Sequence, residues 1–155
     1  MTNPTLSQMR NATADSLTWS SSLVSLADTS YVLSSTVIDN RETAGTTVSY
    51  DLADLQIVFG TAYTPVSGGY ISISMIDTID GTNYPSPPTS STAGPVYMEQ
   101  TFPLKAVSTT VLLFRDLIIR PYQFKILLGQ RSGVVFPGGT ITATLQRRSV
   151  AFYSV

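Results

Sequence analysis

Cysteine and histidine are both absent from this chain of 155 residues. Without cysteine there can be no disulfide, no thiolate nucleophile and no cysteine-based metal site. Without histidine the chain lacks the commonest general base and the commonest transition-metal ligand of proteins. Together these absences exclude the Ser/His/Asp and Cys/His constellations of nucleophilic catalysis. The sequence therefore predicts a protein that is not an enzyme and that has no metal site and no cofactor.

Charged residues are scarce as well, at 12% of the chain, which is about half of the ~25% usual for soluble domains. No apolar run approaches the ~18 residues of a membrane-spanning helix, so we do not expect a membrane partner. Interface cores are depleted in charge, and the composition therefore favours a protein that hides surface against other subunits. The alternative is a monomer that its many hydroxyl side chains keep in solution.

The charges are unevenly distributed along the chain. Residues 1–98 carry eight acids and two bases, a net −6, whereas residues 99–155 carry seven bases and two acids, a net +5. The bases stand singly apart from Arg147-Arg148, and the isoelectric point is about 5.1. Nucleic-acid-binding proteins normally have a denser basic patch, so we expect no nucleic-acid partner. The asymmetry would suit contacts between copies if folding preserved it, but interleaved strands would mix the two halves.

Short stretches that alternate between apolar and polar residues recur from residue 47 onward. Residues 70–76 alternate strictly, which is typical of a strand with one buried face. Turn residues, among them Asp80-Gly81, separate the stretches. Further strands are predicted at residues 47–60, 96–104, 109–114, 117–119, 122–128, 141–147 and 150–153. This pattern predicts an all-β fold, an antiparallel β-sandwich of jelly-roll type.

Residues 1–46 differ from the rest, since Ser, Thr, Ala and Asn dominate and residues 32–38 form the one predicted strand. We therefore divide the chain into an extended N-terminal arm, residues 1–46, and a β-sandwich domain, residues 47–155. Such an arm becomes ordered only by packing on a body, its own or that of a neighbouring subunit. Trp19, the sole tryptophan, is the best anchor for the arm on a neighbour. The alternative is that Trp19 closes one end of the chain's own core.

Four aspartates are the candidates for carboxylate chemistry. Asp51 and Asp54 are three residues apart near a strand start, so an extended chain points them to opposite faces. Asp77 and Asp80 flank a turn and are better explained as turn residues that bond nearby backbone N–H groups. Residues 77–83 also resemble a calcium loop loosely, but the alternating oxygens and the distant glutamate of an EF-hand are missing.

Two loops are candidates for contacts with a partner. Residues 84–88 form a stiff, uncharged, proline-rich loop, which could also act as a polyproline II ligand of a groove-binding domain. Residues 134–137 form a short apolar run before two glycines, and they either face a partner or belong to the local core. The contact residues predicted on the arm and the two loops are Trp19, Tyr84, Pro85, Pro87, Pro88, Phe136 and Pro137.

An ordered series of motifs resembles a family of tailed-bacteriophage virion proteins. The series consists of GYISISMIDTIDGTNY at residues 69–84, TFPLKAV at 101–107, IIRPYQFKILL at 118–128 and GVVFP at 133–137. It covers about half of the chain, from Gly68 to Gly139. The members of the family are small structural proteins described as capsid decoration, cement or head-fibre proteins.

The resemblance implies a β-sandwich that binds the outside of an assembled phage head and has no catalytic residues. The chain would then be a virion structural protein on the capsid exterior, made in the cytoplasm of the host bacterium. Its partners would be the major capsid protein and further copies of itself, as a homotrimer at three-fold positions. The alternative is a head- or tail-fibre module that recognises host glycans through exposed aromatic residues, with Tyr63, Tyr70 and Tyr84 as candidates.

Overall fold

The structure is a computed structural model, and it describes residues 8–42, 49–86 and 99–151. The described residues form ten strands and no helix. The strands are β1 Gln8–Asn11, β2 Asp15–Leu17, β3 Tyr31–Leu33, β4 Ile38–Asp39, β5 Leu52–Tyr63, β6 Tyr70–Thr78, β7 Glu99–Pro103, β8 Thr109–Ile118, β9 Gln123–Arg131 and β10 Ile141–Ala151. All of their pairings are antiparallel. The predicted all-β class is confirmed.

The strands form two five-stranded sheets that pack face to face as a β-sandwich. The first sheet has the order β1-β10-β5-β8 with β2 also on β10, and the second has β3-β9-β6-β7 with β4 also on β9. β1 and β2 share one edge of β10, as β3 and β4 share one edge of β9. The chain is thus a long hairpin that pairs first strands with last ones and is folded over into two sheets, which is the jelly-roll arrangement.

Alternation along the strands places the core between the sheets. On β5, for example, Leu55, Ile57 and Phe59 are almost completely buried, whereas Gln56 between them is exposed. The other strands add their inward-facing residues to one continuous hydrophobic cluster. β6 differs from the expected single buried face, because Ser72, Ser74 and Ile76 on its opposite face are also buried, at 5% exposure or less. Burial of one large apolar side chain contributes about 1.5–3 kcal/mol relative to leaving it exposed. The period-2 pattern of the sequence therefore determines which face of each sheet lies inside.

β8 is one strand where the sequence predicted two. The register between β5 and β8 shifts between Ala53 and Leu55, and Asp116 has a φ of 59°, so the strand contains a β-bulge. The Asp116 N–H donates a hydrogen bond of 3.0 Å to Oδ1 of Asp54. Aspartate tolerates this left-handed conformation better than most residues. Because no glycine marks the bulge, the sequence pattern predicts a break between strands there.

The described part of the predicted arm, residues 8–42, supplies edge strands to both sheets of the chain's own sandwich. It contains four short strands where the sequence predicted one over residues 32–38. Ser34 interrupts that strand, because its hydroxyl accepts a 2.9 Å bond from the Ile126 N–H and donates one of 2.9 Å to the Thr36 carbonyl. Residues 1–7 and 43–46 of the predicted arm lie outside the described residues.

Ion pairs join the acidic first part of the chain to the basic second part. The pairs are Arg147 with Asp15 at 3.1 Å, Arg148 with Asp54 at 3.3 Å and Arg120 with Asp77 at 3.4 Å. They form because strands from the two parts are interleaved in both sheets. The charge asymmetry of the sequence is thus mixed in space and does not by itself provide complementary faces for contacts between copies.

Candidate functional site

The loops of the sandwich divide between its two ends. Because consecutive strands run in opposite directions, residues 18–30, 64–69, 104–108 and 132–140 lie at one end. We call this set of four loops the uncharged end, because its two charged residues, Asp28 and Lys105, are of opposite sign and leave no net charge. At the opposite end lie residues 40–42, 49–51, 79–86 and 119–122, which are the described parts of the connections that follow β4, β6 and β8. We call these described residues the charged end, since they include Arg41, Glu42, Asp51, Asp80 and Arg120.

Backbone hydrogen bonds connect the four loops of the uncharged end to one another. The bonds run from the Val66 N–H to the Ser132 carbonyl at 3.0 Å, from the Leu104 N–H to the Gly69 carbonyl at 2.8 Å, and from the Phe136 N–H to the Leu26 carbonyl at 3.0 Å. The Gly133 N–H also donates to Oδ1 of Asp28 at 3.0 Å. A surface fixed in this way loses little conformational entropy when it binds.

Each loop of the uncharged end exposes a valine. The exposed fractions are 38% for Val24, 44% for Val66, 62% for Val107 and 58% for Val135. The charged residues in these loops are Asp28 and Lys105, and the Asp28 carboxylate is bonded to the chain itself. Depletion of charge together with exposed apolar side chains resembles the composition of interface cores.

Phe136, a predicted contact residue, is fully buried instead. Its ring packs edge-on against Phe59 and Tyr63 at centroid distances of 5.2 and 5.3 Å. The side chain therefore has no surface to offer to a partner, and the prediction is corrected in favour of the local-core alternative. The predicted loop instead exposes its neighbour Val135, while Pro137 is half-buried beside it.

Trp19 lies where the chain crosses from the first sheet to the second, between β2 and β3. It forms an isolated bridge with Ser34, and its half-buried side chain packs against the core cluster. The indole Nε1–H is buried without a hydrogen-bond partner among the described residues. Trp19 thus packs on the chain's own body, as the second alternative held, and a contact between its exposed part and another subunit stays a prediction.

The described residues 84–86 of the predicted contact loop at 84–88 lie at the opposite end from Phe136. Tyr84 is half-buried, with Nζ of Lys125 4.5 Å from its ring centroid, an arrangement that allows a cation–π interaction. Burial raises the pKa of the Tyr84 hydroxyl. Pro85 is exposed, whereas Pro87 and Pro88 lie outside the described residues. The predicted contact residues therefore do not form one site.

Asp80 forms the turn that the sequence predicted. Its Oδ1 accepts hydrogen bonds from the backbone N–H groups of Asn83 at 2.8 Å and Thr82 at 2.9 Å, and from the Thr78 hydroxyl at 2.8 Å. These bonds hold the pKa of Asp80 well below its usual range, and the bond from the Asn83 N–H has the largest effect. Gly81 follows with a φ of 77°, which costs glycine nothing. The carboxylate is thus engaged by its own turn.

Neighbouring groups also hold the carboxylates of Asp77 and Asp54, whereas Asp51 is exposed. Asp77 is half-buried, and burial raises its pKa although Arg120 lies 3.4 Å from its Oδ2. Oδ1 of Asp54 forms an ion pair with Arg148 and accepts a hydrogen bond from the Asp116 N–H. Within residues 8–42, 49–86 and 99–151, no group of three or more acidic side chains is placed to hold a metal ion.

The three tyrosines considered for a glycan site lie apart. Tyr63 is buried in the aromatic cluster, at 2% exposure, and Tyr70 is 37% exposed at the start of β6. Tyr84 lies at the charged end, beyond the other terminus of β6. Since glycan platforms need exposed aromatic rings close together, these residues do not form one.

β8 is an edge strand of the first sheet and exposes Val111, Leu113 and Ile118 at 41, 46 and 52%. Long apolar edge strands tend to pair with other chains. Here the Thr109 hydroxyl donates to the Val111 carbonyl at 2.8 Å and accepts from the Val111 N–H at 3.1 Å. At the other end of β8, the side-chain oxygen of Gln100 accepts from the Ile118 N–H at 3.3 Å. Side chains thus form hydrogen bonds with main-chain groups near both ends of β8, so these groups are not available for pairing with another chain.

We expect Thr109→Val to increase self-association, because the substitution frees both main-chain groups of Val111 for pairing with another chain. Stability should change by less than about 1 kcal/mol, since water can satisfy the freed groups. Thr110→Val is the matched control, being exposed and adjacent. Sedimentation velocity over a range of concentrations compares the two variants, and equal behaviour of both would contradict this role of Thr109.

No protein-family model matches the chain, and comparisons with curated proteins and with solved structures give no match. The described part of the chain contains no helix that is long and apolar enough to cross a membrane.

Proposed function

We propose that this chain is a capsid decoration protein, a virion structural protein that binds the outside of a tailed-bacteriophage head and stabilises its lattice. The observation that carries the proposal is the uncharged end, a set of hydrogen-bonded loops with four exposed valines. The motif series at residues 69–137, which resembles that of phage virion proteins, supplies the identity of the partner. The jelly roll is compatible with this role but does not imply it, because the same architecture serves unrelated functions.

Stabilisation of the head would follow from mass action. A protein that binds the assembled shell and not its free subunits adds about 2.7 kcal/mol per site when its free concentration is 100 times Kd. Binding sites on a symmetric shell favour cyclic oligomers, and we propose a homotrimer at three-fold positions. The major capsid protein is then the second partner, and no chemical reaction is needed.

The test is the binding of the purified chain to phage heads that lack it. We expect saturable co-sedimentation with a fixed number of copies per capsid subunit, and a higher temperature of head disruption once the sites are filled. Failure to bind heads, together with binding to bacterial surface glycans on an array, would overturn the proposal in favour of a fibre module.

A further inference from the structure

We propose that the uncharged end is the face that docks on the partner, and that it fits an apolar protein surface that is itself nearly free of charge. The partner's identity rests on the proposed function, whereas the face and its chemistry rest on the structure alone. The charged end would then point away from the capsid. Attachment of this kind depends little on salt.

The charge of the loops determines which partner fits. Lys105 is the one basic residue within the four loops, all of which the structure describes. Phosphates of nucleic acids and anionic lipid headgroups are bound by several cations, which these loops do not supply. A protein surface with several charges would lose their hydration here and could gain at most one opposite charge, that of the exposed Lys105. Charge complementarity therefore selects an uncharged protein surface.

Packing on the core and a backbone hydrogen bond hold two of the exposed valines, Val135 and Val66, in place. Val135 lies between half-buried Val134 and fully buried Phe136, so the core holds the loop that presents it. Val66 is held by its own N–H, which donates to the Ser132 carbonyl at 3.0 Å. Preorganised apolar groups of this kind provide binding energy at low entropic cost.

The charged end also exposes apolar side chains, but in different surroundings. Ile79 is 90% exposed, and it precedes Asp80 directly and follows Asp77 by two residues. An apolar partner surface would have to desolvate these carboxylates in order to cover Ile79. Ile79 therefore serves as the matched control, because it is more exposed than any valine of the uncharged end but lies opposite to it.

The experiment compares the wild type, the double variant Val107→Lys/Val135→Lys and the control Ile79→Lys for binding to heads that lack the chain, at 50 and 500 mM NaCl. We expect the double variant to bind at least ~100-fold more weakly, since two lysine ammonium groups would be desolvated without partners. We expect Ile79→Lys to bind within about 3-fold of the wild type, and the wild-type Kd to change less than about 3-fold between the two salt concentrations. Val107→Ser/Val135→Ser, which adds no charge, should weaken binding less but measurably.

The outcomes separate this inference from the function on which it rests. If the wild type binds no heads at either salt concentration, the proposed function fails and the inference fails with it. If the wild type binds but the double lysine variant binds equally well, or Ile79→Lys abolishes binding, the inference alone is overturned. Circular dichroism and the melting temperature establish that each variant is folded, and the serine pair supplies the comparison if the lysine pair does not fold.

Discussion

Replacement of Phe136 by alanine is expected to lower the free energy of unfolding by about 3–5 kcal/mol, the usual range for a large aromatic residue removed from a core. Phe136 has no exposed surface, and it contacts Phe59 and Tyr63 at centroid distances of 5.2 and 5.3 Å. The truncation would leave a cavity beneath the loop at residues 132–140, which packs on the core through this ring. The effect would therefore extend to the presentation of Val135.

Urea denaturation of Phe136→Ala and of the control Val135→Ala measures this difference. Val135 is the adjacent residue and is 58% exposed, so its truncation should change stability by about 0.5 kcal/mol or less. A loss below about 1 kcal/mol for Phe136→Ala would mean that the loop is not anchored by this side chain. The account of the uncharged end as a rigid surface would then be wrong.

Asn40→Ala is expected to cost about 3 kcal/mol, because Asn40 is completely buried and joins two other segments at the charged end. Its Nδ2 donates to the carbonyls of Tyr50 and Arg120, both at 2.8 Å, and its Oδ1 accepts from the Tyr50 N–H at 3.1 Å. Alanine would leave these three main-chain groups without the side-chain partner. Each lost bond costs about 1 kcal/mol, and more where the freed group stays buried.

Asn40→Asp tests the mechanism of this loss. Aspartate keeps the shape and the acceptor but turns both donors into a carboxylate oxygen that faces two carbonyls. We expect it to be at least as destabilising as alanine at pH 7, and to recover part of the loss as the carboxyl group is protonated at low pH. Thermal unfolding at pH 7 and pH 4 measures both effects. Equal stability of Asn40→Ala and the wild type would show that the three bonds do not contribute.

The fold class could be predicted because alternation of apolar and polar residues is a local signal. The strand predicted at residues 70–76 corresponds to β6 Tyr70–Thr78, and that at 141–147 begins β10 Ile141–Ala151. The short edge strands β1 to β4 have two to four residues each, too few to show alternation, and the one strand predicted among them, at residues 32–38, joins the separate strands β3 and β4. Their positions depend on the neighbouring strands β9 and β10, and a single stretch of sequence does not contain that information.

The candidate surface could be predicted only in part. The run at residues 134–137 was identified, but the sequence could not distinguish the buried Phe136 from the exposed Val135. Val24, Val66 and Val107 were missed, because an isolated valine in a loop has the same local pattern whether it is covered or exposed. A signal did exist, since each lies in a segment of small residues with few charges. Only the jelly-roll topology brings these segments to one end.

The most direct test of the proposed function is quantitative mass spectrometry of purified virions, in which the copies of this chain are counted against those of the major capsid protein. A decoration protein is predicted to be present at a ratio near one, or at a simple fraction set by the symmetry of the lattice. A copy number at the level of the tail components would contradict a lattice-covering role, and absence of the chain from the particle would contradict the account as a whole.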